Sequence, residues 1–428
     1  MTLIDARDPS AAGASAAGAW VTGSAGADVD GPVTPGSAAL RALLAELAHG
    51  EADRERDGRA PHEQFALIRR ARLGALRVPA ERGGGGASIR ELFETVLDLG
   101  AADPNIAQSL RNHFLIVEAR VRVSAGGAAD PLLDRVVAGT LLGAASSEPG
   151  TPDVGQRAQD HATTVTPDGD GHRLDGTKVY STGNLYADLL LVTAGTPDGT
   201  TAQVLVPADR DGILHEDDWD GIGQRLTGSG TTRFAGVRVL PEEFLAGQEA
   251  WPEGGSAYPA TYPQLWLTAI VAGIVRRVAG DAAALVRERS RTFYHAPARR
   301  PVDDPILQET VGYIASAAYA AEALVRDAAA ALDASFTAVL AGVENPDLDA
   351  AAALKAAQAK VVVDDLAQRA ATALFDAGGA SAVRRAAQFD RHWRNIRTLA
   401  SHNPRAYKAM WIGAHTINGT PLPDGSYF

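Results

Sequence analysis

Cysteine is absent from all 428 positions, which excludes disulfides, thiolate nucleophiles and cysteine-ligated metals together. The ten histidines form no His-x-x-x-His pair, and no second Glu-x-x-His accompanies Glu46 and His49, so no metal is expected. No Gly-x-Ser-x-Gly elbow is present, and Gly228-Ser229-Gly230 lacks the lysine of a phosphate-binding loop. No Gly-x-Gly-x-x-Gly leads from a strand into a helix, which removes a nicotinamide site of the doubly wound kind. Apolar runs all fall short of the roughly 18 residues that a membrane-crossing helix needs. Positive charge is in deficit, with 40 Lys and Arg against 52 Asp and Glu. The resulting formal charge of −12 argues against nucleic acid or an anionic membrane as partner.

What remains is the composition of a soluble enzyme, 46% apolar and 21% charged. The lack of cysteine suits the reducing cytoplasm. The length predicts two or three domains. Residues 1–36, rich in Ala, Gly and Ser, cannot offset ordering entropy and are expected to be a flexible tail. Asp5 and Asp8 stand where a signal peptide needs positive charge.

Between 37 and 139 the pattern is helical. Leu40, Leu43, Leu44 and Leu47 share a face, a second helix follows Pro61, and Asp103-Pro104 opens another. From 140 to 247 the period changes to two, and Asp168 to Gly171 reads as a hairpin turn between two strands. From 248 to 428 long helices return. Leu307, Val311, Ile314, Ala318, Ala321 and Val325 mark a bundle seam, Ser381 is a candidate cap for the last helix, and the chain beyond Ala409 reads as a tail. The fold class expected is α+β: an N-terminal helical domain, a central β-barrel and a C-terminal four-helix bundle.

The segment DRHWRNIRTLASHNPRAYK, Asp390 to Lys408, holds four arginines, two histidines and two asparagines but one acid. Such a segment can bind an anion and hydrogen-bond an oxygen, yet offers little to take a proton from carbon. Upstream, ASSEPG (Ala145 to Gly150), DGTKVYSTG (Asp175 to Gly183) and GQRLTGSGTTRFAGVRVLPEEFLAG (Gly223 to Gly247) lie in or border the β-region. Taken singly, each piece is an ordinary strand end or turn.

In this order, with VPAERGGGGAS before them, these segments resemble the acyl-CoA dehydrogenase superfamily over about residues 40 to 402. The resemblance implies the three-part fold above, a flavin between β-domain and bundle, and a homotetramer. Dehydrogenases of the superfamily place a glutamate base late in the chain or on the first bundle helix. After Phe375 only Asp376, Asp390 and Asp424 are acidic, and the helix YPQLWLTAIVAGIVRRVAGD has no acid before Asp281. The C-terminal segment is instead similar to the two-component flavin monooxygenase branch, which includes dibenzothiophene monooxygenases and amine N-hydroxylases. That likeness implies reduced FMN (FAD as the alternative) from a separate flavin reductase, dioxygen, and a C4a-hydroperoxyflavin that oxygenates a sulfur- or nitrogen-containing small molecule. A dehydrogenase with a displaced base is the alternative.

Matched by position, His402 would face the bound oxygen, Thr182 would lie close to flavin N5, and Asn112 would orient the substrate. Ser146, Ser147, Tyr180, Thr182, Arg291, Arg394 and Arg397 would contact the flavin, with Arg291 on its phosphate. Arg394 and Arg397 have an equal claim to bridging subunits. His113, beside Phe114 and Ile116, reads as a satisfied core histidine, and His392 beside Trp393 likewise. Tyr258, Tyr262 and Trp266 suit either a flat apolar substrate or packing.

Overall fold

A computed structural model describes residues 32–124, 127–150, 161–245, 257–343, 345–423 and 428. Most of the expected N-terminal tail lies outside the described residues.

Seven helices come first: α1 (Ala38–Ala48), α2 (Glu51–Asp57), α3 (His62–Arg70), α4 (Ile89–Ala102), α5 (Pro104–Ser109), α6 (Arg111–Val123) and α7 (Pro131–Val137). Their starts follow side-chain chemistry. Ser88 and Glu91 close a capping box at α4, and Asp103 accepts from Asn105 and Ile106 to open α5 ahead of Pro104. The α2 helix has no apolar periodicity. Its buried residues are Glu51, Arg54 and Glu55.

Strands β1 (Leu142–Ala145), β2 (Thr164–Asp168), β3 (Gly171–Lys178), β4 (Leu189–Gly195), β5 (Thr201–Pro207), β6 (Ile213–His215) and β7 (Thr232–Val239) follow. The predicted hairpin is β2–β3, with Asp168 opposite Gly171. The sheet runs β1-β4-β2-β3-β7-β6 with β5 on β4, and its path is open. The expected barrel is therefore a half-barrel. Alternate residues Val165, Leu174, Leu190, Val192, Val204, Val206, Val237 and Val239 fill its inner face.

The C-terminal helices are α8 (Tyr258–Glu288), α9 (Pro305–Leu340), α10 (Pro346–Gly378), α11 (Asp390–Ala400) and α12 (Arg405–Asn418). Helices α8, α9 and α10 pack on one another, α4 covers α8 and α9, α11 packs on α8 and α10, and α12 packs on α10. Sandwiched on several sides, α8 is buried almost without interruption from Tyr258 to Val275. Its crossing with α4 needs glycine: a Cβ on Gly273 would stand 2.3 Å from the Leu97 carbonyl oxygen. No described helix is long and apolar enough to cross a membrane.

Two details differ from the expectation. Ser381 lies in a short 3-10 turn and α11 begins only at Asp390, with Phe389 at its cap position. The region after Ala409 is not all tail, because α12 continues to Asn418 and ends at left-handed Gly419. Gly413 sits inside that helix without stopping it.

His113 is a core histidine. Its Nε2 lies 2.9 Å from the Gly74 carbonyl oxygen, and its Nδ1 accepts from the Leu142 N–H at 3.0 Å. Only the neutral ring satisfies both partners, and burial pushes its pKa down to about 4. Unfolded, it would titrate near 6.5. Stability from this group is therefore full above pH 6.5 and is lost as pH falls to 4, by about 3 kcal/mol. Urea midpoints should drop over that window, and less so in His113→Gln. Equal slopes for the two proteins would count against it.

Candidate functional site

The ASSEPG and TKVYSTG segments meet at one rim of the sheet. The Val179 N–H donates to the Ser147 carbonyl at 2.9 Å, and Lys178 Nζ donates to the Ser146 carbonyl at 3.2 Å. Behind them Lys178 pairs with Glu148 at 2.7 Å, with side chains 0% and 6% exposed. Glu148 also accepts from the N–H groups of Ala162 (2.8 Å) and Thr163 (2.9 Å). Burial would raise its pKa, but the Lys178 hydrogen bond and the two N–H groups outweigh that and pull it down to about 2. The glutamate of this turn is thus a buried counter-ion that fixes both loops. Ser146 and Ser147 stand exposed on the rim.

Tyr180 follows with φ of 54°, a left-handed conformation costly for an aromatic residue. Its ring is 68% exposed and meets the edge of Trp219 at 6.2 Å between centroids. Thr182, 6% exposed, lies 2.9 Å through its hydroxyl from Ser229 Oγ. Asn112, in the first turn of α6, donates through Nδ2 to the Thr182 carbonyl at 3.2 Å. The Tyr180–Gly183 loop is pressed against α5, where a Cβ at Gly183 (φ 86°) would stand 2.3 Å from the Ser109 carbonyl oxygen. Asn112 and Thr182 are therefore brought together by backbone contact.

His402 occupies the turn between α11 and α12, with its N–H on the Leu399 carbonyl at 3.2 Å. The neighbouring Asn403 donates to Gln264 of α8 at 2.8 Å and anchors the turn. Burial holds the His402 pKa well below the ordinary histidine range, and the positive charges of Arg111, Lys360 and Lys408 add to this. The ring is neutral at pH 7. Arg111 precedes Asn112 on α6, so that helix brings one of these charges to His402.

Lys360, Asp364 and Lys408 escaped the sequence reading. Lys360 and Asp364 form a buried 2.8 Å ion pair on the inner face of α10, between Ala356 and Ala367. Lys408, 3% exposed, has a pKa pushed down to about 7, first by burial and then by Lys360. The signal was available: Lys360 and Asp364 are spaced four apart on the helix face that carries Ala356, Val363 and Ala367.

Most of the DRHWRN segment is used for bracing. Arg391 pairs with Glu51 at 2.9 Å, His392 with Asp281 at 2.8 Å, and Arg394 with Glu55 at 2.9 Å and with Asp390 at 2.9 Å. Arg394 also donates to the Ile222 carbonyl at 3.1 Å, and the Gln224 N–H donates to Asn395 Oδ1 at 2.5 Å. A stretch poor in acid along the chain is thus met by acids in space, which engage Arg391 and Arg394 with carboxylates of α2. His392 has the core role expected of it. Arg397 is exposed on α11, and Arg291 is exposed on the loop after α8. Among the described residues no hydrogen bond or ion pair joins either arginine to the Thr182 group.

Tyr258, Tyr262 and Trp266 are core residues, at most 1% exposed and packed among Phe93, Phe114 and Phe336. Tyr258 donates to Glu118 at 2.7 Å and Trp266 to the Ala107 carbonyl at 3.0 Å. The choice left open by the sequence falls to packing. The segment before them, 251–256, lies outside the described residues.

Residues 265–405 match the family model described as acyl-CoA dehydrogenase, C-terminal domain. A dibenzothiophene monooxygenase of Rhodococcus erythropolis is 28% identical over 399 residues, 90% of this chain and 94% of the relative. The probable FMNH2-dependent monooxygenase SfnC of Pseudomonas putida is 26% identical over 403 residues, 93% of this chain and 99% of the relative. Among solved structures, FMN-bound TdsC from Paenibacillus sp. A11-2 superposes with a TM-score of 0.78 at 29% identity, covering 90% of this chain and 99% of its own. Over nine-tenths of its length this chain is thus similar to flavin monooxygenases, and its C-terminal helices match the acyl-CoA dehydrogenase C-terminal domain.

Proposed function

We propose that this chain is the oxygenase component of a two-component flavin monooxygenase. It takes reduced FMN from a separate reductase and uses dioxygen to oxygenate a sulfur- or nitrogen-containing small molecule. The observation that carries this reading is the neutral, buried imidazole of His402, which lies within reach of the charge of Arg111, the residue before Asn112 on α6. The nearby carboxylate of Asp364 is held by Lys360. A dehydrogenase base must be free to take a proton, whereas an oxygen-transfer site needs a donor that does not discharge its charge early.

The residues present fit a flavin ring. Ser146, Ser147 and Tyr180 line an exposed polar and aromatic rim, and the buried Ser181 hydroxyl has no hydrogen-bond partner among the described residues. An isoalloxazine edge supplies the missing partner for such a group. Ser146, Ser147, Tyr180 and Thr182 would hold the ring, Arg291 would hold the phosphate, and Arg397 would contact the flavin or bridge subunits. Arg394 is assigned to bracing α2 against α11. Bound reduced flavin supplies the electrons that activate dioxygen. His402 donates its N–H to the oxygen being transferred, Asn112 orients the substrate, and the closely packed Gly183 loop excludes water. The proposed parts are 37–139, 140–247 and 248–428 after a tail at 1–36. They would assemble as a cytoplasmic homotetramer.

Supplied with FMN, NADH, a flavin reductase and an organosulfur probe such as dibenzothiophene, the protein should form oxygenated product, and none without the reductase. In His402→Ala, product per NADH should fall roughly tenfold or more while hydrogen peroxide rises. Equal coupling in both proteins would remove the histidine from the mechanism. Acyl-CoA turnover with an artificial electron acceptor would replace the whole reading by a dehydrogenase.

A further inference from the structure

Behind Thr182 runs a single file of hydroxyls whose direction can be worked out. Each hydroxyl has one proton to give and can accept at its lone pairs. Thr227 Oγ1 lies 2.8 Å from the Gln224 carbonyl oxygen, which can only accept, so Thr227 donates there. The 2.6 Å contact between Thr227 and Ser229 must then be donated by Ser229. With that proton committed, the 2.9 Å contact between Ser229 and Thr182 must be donated by Thr182. Its other close oxygen, the Tyr180 carbonyl at 3.5 Å, would likewise take a proton and give none. Thr227, Ser229 and Thr182 are 0%, 8% and 6% exposed, so bulk water has little access with which to reset the order. The Gly183 N–H donates to the Thr227 carbonyl at 3.0 Å and holds the start of the file in place. Thr182 therefore offers lone pairs, and no proton, to whatever lies against it.

We infer that Thr227 and Ser229 are positioning residues that make the Thr182 hydroxyl an obligate acceptor, and that this polarity selects reduced over oxidised flavin. The inference rests on the proposed function, in which Thr182 lies against flavin N5. Reduced flavin carries a hydrogen on N5 and is a donor there; oxidised flavin has a bare ring nitrogen that can only accept. The reduced ring gains a hydrogen bond from Thr182, while the oxidised ring is set lone pair against lone pair. A protein that borrows its flavin needs this difference. It captures the reduced form from the reductase and lets the spent form leave, because binding discriminates only by differential contact with the two states.

The test is a pair of FMN titrations, oxidised by fluorescence quenching and reduced under anaerobic conditions, on the parent chain, Ser229→Ala, Thr227→Val and Thr227→Ser. The parent should bind reduced FMN more tightly. In Ser229→Ala the Thr182 proton is released to point outward. In Thr227→Val the Ser229 proton turns to Thr182, with the same result. In both, the ratio of oxidised to reduced Kd should fall about tenfold, which lowers the two-electron potential of bound FMN by about 30 mV. Thr227→Ser, which keeps the hydroxyl, should retain the parent ratio. Unchanged ratios in Ser229→Ala and Thr227→Val, with both flavin forms still bound, would overturn the inference. A parent chain that binds neither form would instead refute the functional reading beneath it. Loss of both forms in one variant alone marks misfolding of that variant, and the ratio in the other decides.

Discussion

A Lys178→Met variant should unfold at about 3–5 kcal/mol less free energy than the parent and should lose FMN binding with it. Lys178 has no exposed side-chain area, and its ammonium is the charge that balances buried Glu148. Removing it leaves a buried carboxylate without its ammonium partner, its donors then including the N–H groups of Ala162 and Thr163. The carboxylate must then either stay charged in an apolar setting or take up a proton. The loops carrying Ser146, Ser147 and Tyr180 are tied to each other through this lysine, so the rim should loosen as stability falls. Denaturant melts and FMN titrations on Lys178→Met, Glu148→Gln and the double variant separate the two effects. The double variant should regain part of the stability, since it leaves no unpaired charge. A parent-like midpoint in Lys178→Met would show that the pair contributes nothing.

Asp281→Asn should be nearly as damaging, with a loss of about 3–5 kcal/mol. Burial alone would raise the Asp281 pKa. The His392 hydrogen bond and the charges of Arg277 and Arg391 outweigh it and hold the carboxyl well below the usual carboxylate range. The amide keeps the shape but cancels the charge facing Arg277 at 2.9 Å and Arg391 at 3.7 Å. Both cations then lie partly or wholly out of water with less to balance them. Thermal melts should show the loss at neutral pH. The gap between variant and parent should close as acid protonates Asp281 itself, because a depressed carboxyl stabilises only above its folded pKa. A gap that stays constant down to strongly acid pH would mean that the amide disturbs packing and not charge.

Sequence patterning reached the parts of this molecule whose buried faces are apolar. The leucine stripe of α1, the β2–β3 hairpin and the seam of α9 follow directly from periods of 3.6 and 2. It failed where burial and apolarity part company. Helix α2 buries two glutamates and an arginine, so no hydrophobic period announces it. Lys360 and Asp364 hide inside α10 for the same reason. Helix α12 keeps Tyr407, Met410 and Ile417 exposed in the single chain, and its lone glycine reads as a breaker. The acid scarcity of the Asp390–Lys408 segment was real along the chain and did not persist in space, since Glu51, Glu55 and Asp281 come to it from two other helices. Thr182 and Asn112 are candidates that motif context alone could single out, but the hydroxyls of Ser229 and Thr227 needed coordinates, because proton direction is a property of distances.

Glu51 and Arg391 are 340 positions apart, as are, within one residue, Glu55 and Arg394. During synthesis the two glutamates emerge early, while their cations are among the last tenth of the chain to leave the ribosome. The N-terminal helices must wait for most of translation before this clasp closes, and domains finished in order cannot complete it alone. Until then α2 is fastened to the N-terminal helices through Arg54 on Asp103 and through Asn105 on Glu55, with its second ring of partners still unmade.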